Sequence, residues 1–169
     1  MLQSGGMAET LAAIFSNRLQ GAALSAPENI QARKAGLRMI LDISKLEPNF
    51  PINSVILSRA YLASHQETLR KFMRAYVEGI SIGKKDKAFT KKVLGKYLRT
   101  QDPEVLEESY EWIIKEVMAQ TPYPPVQGIK TLLDASTNPK AKAIKPESLV
   151  DDRFVRELDE SGFIKALYK

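Results

Sequence analysis

A short apolar run at residues 22–24 leads directly into a helix-start pattern. Ser25 and Glu28 have the S-x-x-E spacing of a capping box, and Pro27 suits the first helical turn because its missing N–H needs no partner there. A strand that runs straight into a helix is typical of ligand sites in open α/β sheets, where free amides and the positive end of the helix dipole point outward. An ordinary capped helix without a ligand fits the same spacing.

Catalytic and metal-binding residue types are scarce. The chain has no cysteine, which excludes thiol catalysis, cysteine-ligated metals and disulfides. Its one histidine, His65, follows Ser64 at the predicted first turn of a helix, where we expect a structural role. The sequence contains no G-x-S-x-G elbow, no phosphate loop and no paired metal ligands. We therefore predict no enzyme, no catalytic residue, no cofactor and no metal.

The charge balance is basic: 25 Lys and Arg face 20 Asp and Glu. This excess suits anionic ligands, acidic membrane surfaces or nucleic acid. The basic residues are nevertheless spread along the chain apart from a denser run at 84–99, and aromatic residues do not alternate with them. We predict no nucleic-acid partner. No apolar run reaches the ~18–20 residues of a membrane span, and the first residues lack the pattern of a signal peptide.

The first third of the chain alternates helical and strand patterns. Residues 8–19 and 27–35 predict two helices, the second ended by Gly36 as a left-handed cap. Apolar and β-branched runs predict strands at 22–24, 37–42 and 52–58. Two α/β steps follow from this order.

From Ser64 onward the pattern is helical. The strongest amphipathic helix places six apolar residues on one face: Leu69, Phe72, Met73, Tyr76, Val77 and Ile80. A second helix over 87–98 is predicted to bury Phe89, Val93, Leu94, Tyr97 and Leu98. A third begins with Asp102 as cap and Pro103 in its first turn, and its predicted apolar stripe is Leu106, Tyr110, Ile113 and Val117.

The order of several segments resembles the carboxyl-terminal half of the solute-binding proteins of bacterial ABC importers, in the branch for sulfonates, nitrate, taurine and thiamine precursors. The matching segments cover nearly the whole chain: Gly5-Gly6 before a helix, residues 20–27, 32–36 with 40–42, 56–59 before the long helix, 72–76, 150–151 and 161–164.

The resemblance implies a helix-rich α/β fold that is part of a type II periplasmic-binding fold. Residues 1–47 would be the carboxyl-terminal part of the second lobe, and residues 48–169 the crossover and the carboxyl-terminal part of the first lobe. The signal peptide and most of the first lobe's sheet would lie upstream, so the chain would be a fragment of a periplasmic or membrane-anchored receptor.

Members of that family close two lobes around a solute, and a membrane permease then reads the closed form. Carried over by position, the resemblance implies ligand contacts by Gly5 and Gly6 and by Ser25, Ala26, Glu28 and Asn29 at the helix start. The implied partners are a small anionic or heteroaromatic solute and an ABC permease. Where relatives often have an acidic residue, this chain has Gln20-Gly21-Ala22, which removes any contact that depends on that acid.

Two other functions stay open. A fold relative makes the thiamine pyrimidine from its own histidine and needs a cysteine-rich iron-binding segment, so zero cysteines argue against that enzyme here. A helical protein-interaction module is the other alternative, because more than half of the residues have helical patterns. Strands left without neighbours would also favour a homodimer through their unpaired edges.

Overall fold

The computed structural model describes residues 5–43, 51 and 54–169, and this part of the chain contains helices and no β-strand. The predicted α/β fold, a partial type II periplasmic-binding fold, is therefore wrong. The α-helices run in the order α1 (Met7–Phe15), α2 (Glu28–Lys34), α3 (Arg59–Ser64), α4 (Gln66–Lys85), α5 (Lys87–Leu98), α6 (Pro103–Ser109), α7 (Val126–Ala135), α8 (Arg153–Glu160) and α9 (Phe163–Ala166). A π-helix (Tyr110–Val117) continues α6, and two 3₁₀ helices (Pro139–Ala143 and Pro146–Leu149) follow α7.

The predicted strands fail because a strand needs a neighbour for its backbone groups. Residues 22–24 and 37–42 are extended or irregular and have no paired strand among the described residues. The same holds for 54–58, whereas residues 52 and 53 of that predicted strand lie outside the described residues. The predicted boundary between 47 and 48 also lies outside them. No described helix combines the length and apolar composition that a bilayer span requires.

The chain divides into two compact units. Unit 1 consists of Met1–Asp42 and Asp86–Val117. Its large buried apolar side chains among the described residues come from α1, α2, α6 and the π-helix: Leu11, Ile30, Val105, Leu106, Tyr110 and Ile114. Helix α6 packs against both α2 and α5, and therefore lies at the centre of this unit.

Local chemistry explains the start of α6 as predicted. Asp102 Oδ1 accepts the backbone N–H groups of Glu104 at 2.9 Å and Val105 at 3.3 Å, and Pro103 occupies the first position. The π-helical backbone beyond Ser109 then changes which side chain is buried: Ile114 is inside, whereas the predicted Val117 is exposed. A π-helical turn is wider than an α-helical turn, so Val117, seven residues after Tyr110, no longer lies on the same face.

Helix α5 has its predicted bounds, but its buried face differs from the prediction. Phe89 and Tyr97 are 52% and 75% exposed, whereas Thr90 and Gly95 are buried. A Cβ atom at Gly95 would lie 3.0 Å from the carbonyl oxygen of Thr100 and 3.6 Å from Leu106 Cδ2. Because Thr100 and Leu106 approach α5 so closely at Gly95, this face of the helix carries small residues. Hydrophobic periodicity does not predict a buried face of this kind.

Ion pairs link the helices of unit 1. Lys34 Nζ lies 2.6 Å from Asp102 Oδ2 and 2.8 Å from Glu104 Oε2, and the guanidinium of Arg33 contacts the carboxylate of Glu108. On the other side, Lys87 and Lys91 pair with Glu107, and their ammonium groups lower the pKa of that carboxyl. These charged groups are largely solvated, so the ion pairs orient the helices and contribute little to the free energy of unfolding.

Ser109 provides a stability test inside unit 1. Its side chain is fully buried and its Oγ has no hydrogen-bond partner. Ser109→Ala removes an unsatisfied hydroxyl, so we expect the free energy of unfolding to rise by about 1 kcal/mol in urea denaturation. The matched control is Ser81→Ala, because buried Ser81 Oγ donates to the Leu167 carbonyl at 3.1 Å. That variant should lose about 1 kcal/mol, and a loss in both would contradict the assignment.

Unit 2 consists of Ile43–Lys85 and Met118–Lys169. Its core joins α4, α8 and α9 through Val77, Val155 and Ile164. The partly buried side chains around them are Met73, Leu158, Phe163, Leu167 and Tyr168. Gly162 has a φ of +75° between α8 and α9, a left-handed conformation that suits glycine and allows α9 to fold back on the core.

Candidate functional site

The predicted ligand contacts lie at the starts of α1 and α2 in unit 1. Gly5 and Gly6 precede α1 and are exposed, with Gly6 as its N-cap. Ser25 and Ala26 are half-buried, Glu28 begins α2 and Asn29 is exposed. Helices α1 and α2 pack against each other, but the described side chains of the two segments make no hydrogen bond with one another.

The capping box predicted at Ser25 is not formed. The N-cap of α2 is Pro27, no side chain caps the helix, and Ser25 contributes its carbonyl to the N–H of Asn29. Helix α2 has only seven residues, so its end carries little dipole. The turn thus lacks the strand, the cap and the long helix on which the expectation of a ligand site depended.

The charge at the start of α1 is also unfavourable for an anion. The side chain of Glu9 folds back over the two glycines, and a Cβ atom at Gly6 would lie 2.7 Å from Glu9 Oε2. A carboxylate at this position interacts with the positive end of the helix itself. An anionic solute would meet like charge at the amides proposed for it.

A more promising surface lies in unit 2, where residues 54–58 run beside α3 and α4. We name it the apolar groove: a cavity of about 150 Å³ lined by Val55, Leu57, Tyr61, Thr68, Leu69 and Phe72. Ser58 caps α3 by accepting the N–H of Tyr61 at 3.1 Å, which fixes where the extended segment ends. Among the lining residues, Leu69 is buried and forms the floor.

The rim of the apolar groove is unusually apolar for a surface. Val55 and Phe72 are 52% and 44% exposed, and Leu57 and Tyr61 are exposed as well. Isolated exposed apolar residues are normal, but a contiguous patch of aromatic and aliphatic side chains marks an interaction site or an aggregation liability.

Aromatic stacking holds the groove's rings in place. The Tyr61 ring stacks on the His65 ring with 4.1 Å between centroids and 4° between planes. The Phe72 and Tyr76 rings, one turn apart on α4, have centroids 6.1 Å apart. His65 Nδ1 lies 2.8 Å from Ser64 Oγ, so this histidine is held at the rim between α3 and α4. Ordered rings lose little further rotamer freedom when a partner binds.

The extended segment beside the groove has unused backbone groups. The structure gives no hydrogen bond to the backbone N–H or C=O groups of residues 55–57 within the described part of the chain. Such groups are a template for another extended chain, since main-chain pairing supplies affinity and alternate side chains supply specificity.

A second, larger cavity in unit 2 has polar walls. Its volume is about 260 Å³ and its lining is Arg70, Lys71, Arg74, Phe154, Glu157 and Leu158. Arg70 Nε lies 2.8 Å from Glu157 Oε2, and this hydrogen bond raises the pKa of Arg70 and lowers that of Glu157. Arg74 lies 4.3 Å from the centroid of the Phe163 ring and pairs with Glu78. Both guanidinium groups are thus already engaged within the protein, which weakens this cavity as an anion site.

No group of three or more His, Asp or Glu side chains that could hold a metal ion occurs in the described ranges.

Comparison of the chain with protein-family models, with curated proteins and with solved structures gave no match.

The sequence assigned the groove's residues to other roles. Phe72 and Tyr76 were expected in the core of α4, and 55–57 in a sheet. One feature of the pattern does indicate the groove: at 100° per residue the apolar stripe of α4 spans roughly 140°, which is wider than one packed face needs. Val77 lies at one edge and is buried, whereas Phe72 lies at the other and is exposed.

Proposed function

We propose that this chain is a helical protein-interaction module that binds an extended apolar segment of a partner protein in the apolar groove. The observation that carries the proposal is the exposed apolar rim next to a backbone segment without hydrogen bonds. Helices α3 and α4 act as the rigid support.

The groove's volume supports one bulky anchor. An apolar space of about 150 Å³ is large enough for a benzene-sized group. An aromatic or branched aliphatic side chain of the partner would fill the space between Leu57, Tyr61 and Phe72. Interface hot spots are typically such buried anchors surrounded by contacts that exclude water.

The residues that line the groove also determine which kind of partner segment it can bind. Its residues carry no formal charge, and Thr68 supplies the polar contact at the edge. A charged ligand group would lose its hydration there without an ion partner. A peptide that alternates apolar and polar residues would place the apolar ones in the groove and pair its backbone with 55–57.

Binding of a small solute for an ABC permease, expected from the resemblance, stays a prediction. Its structural basis was the strand-to-helix turn before α2, which is not formed. The alternative of a helical interaction module has the better support, because the helical architecture and the exposed groove are both consistent with it.

The proposal predicts a specific loss of peptide binding in Phe72→Asp. A phage-displayed library of short linear peptides is selected against the full chain, and the enriched peptides are then titrated by fluorescence anisotropy. We expect bulky apolar residues at alternate positions, and binding roughly tenfold or more weaker to Phe72→Asp, because a hot-spot anchor would meet a carboxylate.

Ile82→Asp is the matched control for that variant. Ile82 lies on the same helix, is also exposed and does not line the groove. Its affinity for the peptides should equal that of the unmodified chain. Failure to enrich peptides, enrichment without apolar alternation, or equal loss in both variants would each overturn the proposed function.

A further inference from the structure

The segment at residues 37–42 of unit 1 has the pattern of a strand without a sheet. Leu37, Met39 and Leu41 alternate with Arg38, Ile40 and Asp42, so an extended backbone places the first three on one face. Ile40 is 91% exposed, and Met39 and Leu41 are exposed as well. The backbone of 38–41 makes no hydrogen bond among the described residues.

We propose that this segment pairs with the same segment of a second copy, antiparallel and about a twofold axis at Ile40. In this register Ile40 lies opposite Ile40 of the second copy, Met39 lies opposite its Leu41, and Arg38 lies opposite its Asp42. The twofold axis generates each unlike pair twice, as an isologous interface requires.

The charges select this arrangement over its competitors. Opposite charges directly across an antiparallel pair are stabilising, and like charges are destabilising. A parallel, in-register pair would place Arg38 beside Arg38 and Asp42 beside Asp42. Sliding the antiparallel pair by two residues would separate Arg38 from Asp42 altogether. Only the register centred on Ile40 matches both charges of each copy.

The same register also satisfies the apolar face. Residues directly opposite each other in a strand pair share a face, so Leu37, Met39 and Leu41 of both copies form one continuous apolar surface. Pairing supplies hydrogen bonds to the backbone groups of 38–41, which make none among the described residues. The segment lies in unit 1 and the apolar groove in unit 2, so the inference does not depend on the proposed function.

Charge reversal tests the register. Sedimentation velocity over a concentration series should show a reversible dimer for the full chain. Arg38→Asp and Asp42→Arg should each weaken dimerisation roughly tenfold, because two attractive pairs become repulsive. An equimolar mixture of the two variants should form a heterodimer at least as stable as the original, since every Asp then faces an Arg.

Lys92→Asp is the control for net charge, because Lys92 is an exposed cation of α5 in the same unit. Its dimerisation should equal that of the unmodified chain. A monomer at all concentrations overturns the inference. So does a dimer that is insensitive to both reversals, a mixture that forms no heterodimer, or a dimer that Phe72→Asp abolishes.

A cysteine cross-link gives a second readout that does not require charge changes. The chain has no cysteine, so Ile40→Cys introduces a single thiol at the twofold axis. Opposed Cα atoms in an antiparallel pair are about 4.5–5.5 Å apart, which is within the Cα separation that a disulfide needs. Diamide oxidation should convert most of this variant to a covalent dimer. Tyr97→Cys places a thiol at a similarly exposed site in unit 1 and measures cross-linking by random collision. Equal cross-linking of the two variants would overturn the register.

Discussion

Replacing Val77 by Asp is expected to unfold unit 2. Val77 has no exposed surface, and it packs with Val155 and Ile164 where α4, α8 and α9 meet. A carboxylate there would lose its hydration without an ion partner, and this ranks among the most destabilising kinds of substitution, at more than about 4 kcal/mol. Since small proteins have about 5–15 kcal/mol in total, the native population should fall sharply.

Hydrogen exchange measured by mass spectrometry tests this expectation locally. The amides of α8 and α9 should lose protection in Val77→Asp, because both helices depend on the same core. Ile82→Asp places the same charge five residues along α4 at an exposed position and should keep protection near that of the unmodified chain. Protected α8 and α9 amides in Val77→Asp would mean that this core does not hold unit 2 together.

The Val77 variant also connects stability with the proposed function. Helix α4 presents Val77 to the core and Phe72 to the apolar groove. Loss of the core should therefore abolish peptide binding, whereas Phe72→Asp should remove binding with hydrogen exchange of α8 and α9 unchanged. Together, the two variants distinguish loss of peptide binding by the groove from unfolding of unit 2.

The elements that were predicted correctly are those determined by local chemistry. Asp102 followed by Pro103 begins α6, Gly36 has a φ of +84° after α2, and apolar periodicity predicts α4. Each depends on neighbours within a few residues, so the information lies in the local sequence.

The strands were predicted wrongly because strand pairing is not local. Residues 37–42 alternate like a half-buried strand, yet alternation specifies only which side chains share a face. Whether a second strand lies alongside is determined by distant parts of the chain or by another molecule. Ser25 is a different case, because its capping spacing is local and yet forms no cap: α2 begins at Glu28, with Pro27 as its N-cap.

The sequence also does not predict the apolar groove, and the reason is again that distant parts of the chain determine it. An amphipathic stripe indicates apolar residues, and these are equally consistent with a core and with an interface. The exposed Phe72 and the buried Val77 belong to the same stripe of α4, and their separation depends on where α8 and α9 pack. That packing involves residues more than about 70 positions away in sequence, which periodicity does not describe.

Tyr110→Ala is expected to be the most destabilising of the simple truncations in unit 1. The ring is almost fully buried at the start of the π-helix, and Lys87 Nζ lies 5.0 Å from its centroid. Removing a large buried aromatic ring loses its transfer free energy and leaves a cavity, at a cost of about 3–5 kcal/mol. Tyr110→Phe keeps the ring and its contact with the ammonium group, so it should retain most of that stability.

Urea denaturation followed by tryptophan emission measures this effect, because Trp112 is the chain's single tryptophan and lies in the same π-helix. The midpoint should fall strongly for Tyr110→Ala and little for Tyr110→Phe. The ordering also tests the π-helix itself, because its wider turn moves Val117 away from the face that Tyr110 and Ile114 share. If Val117→Ala proved as costly as Tyr110→Ala, the buried face would instead follow the ordinary helical stripe, and the π-helical register would be wrong.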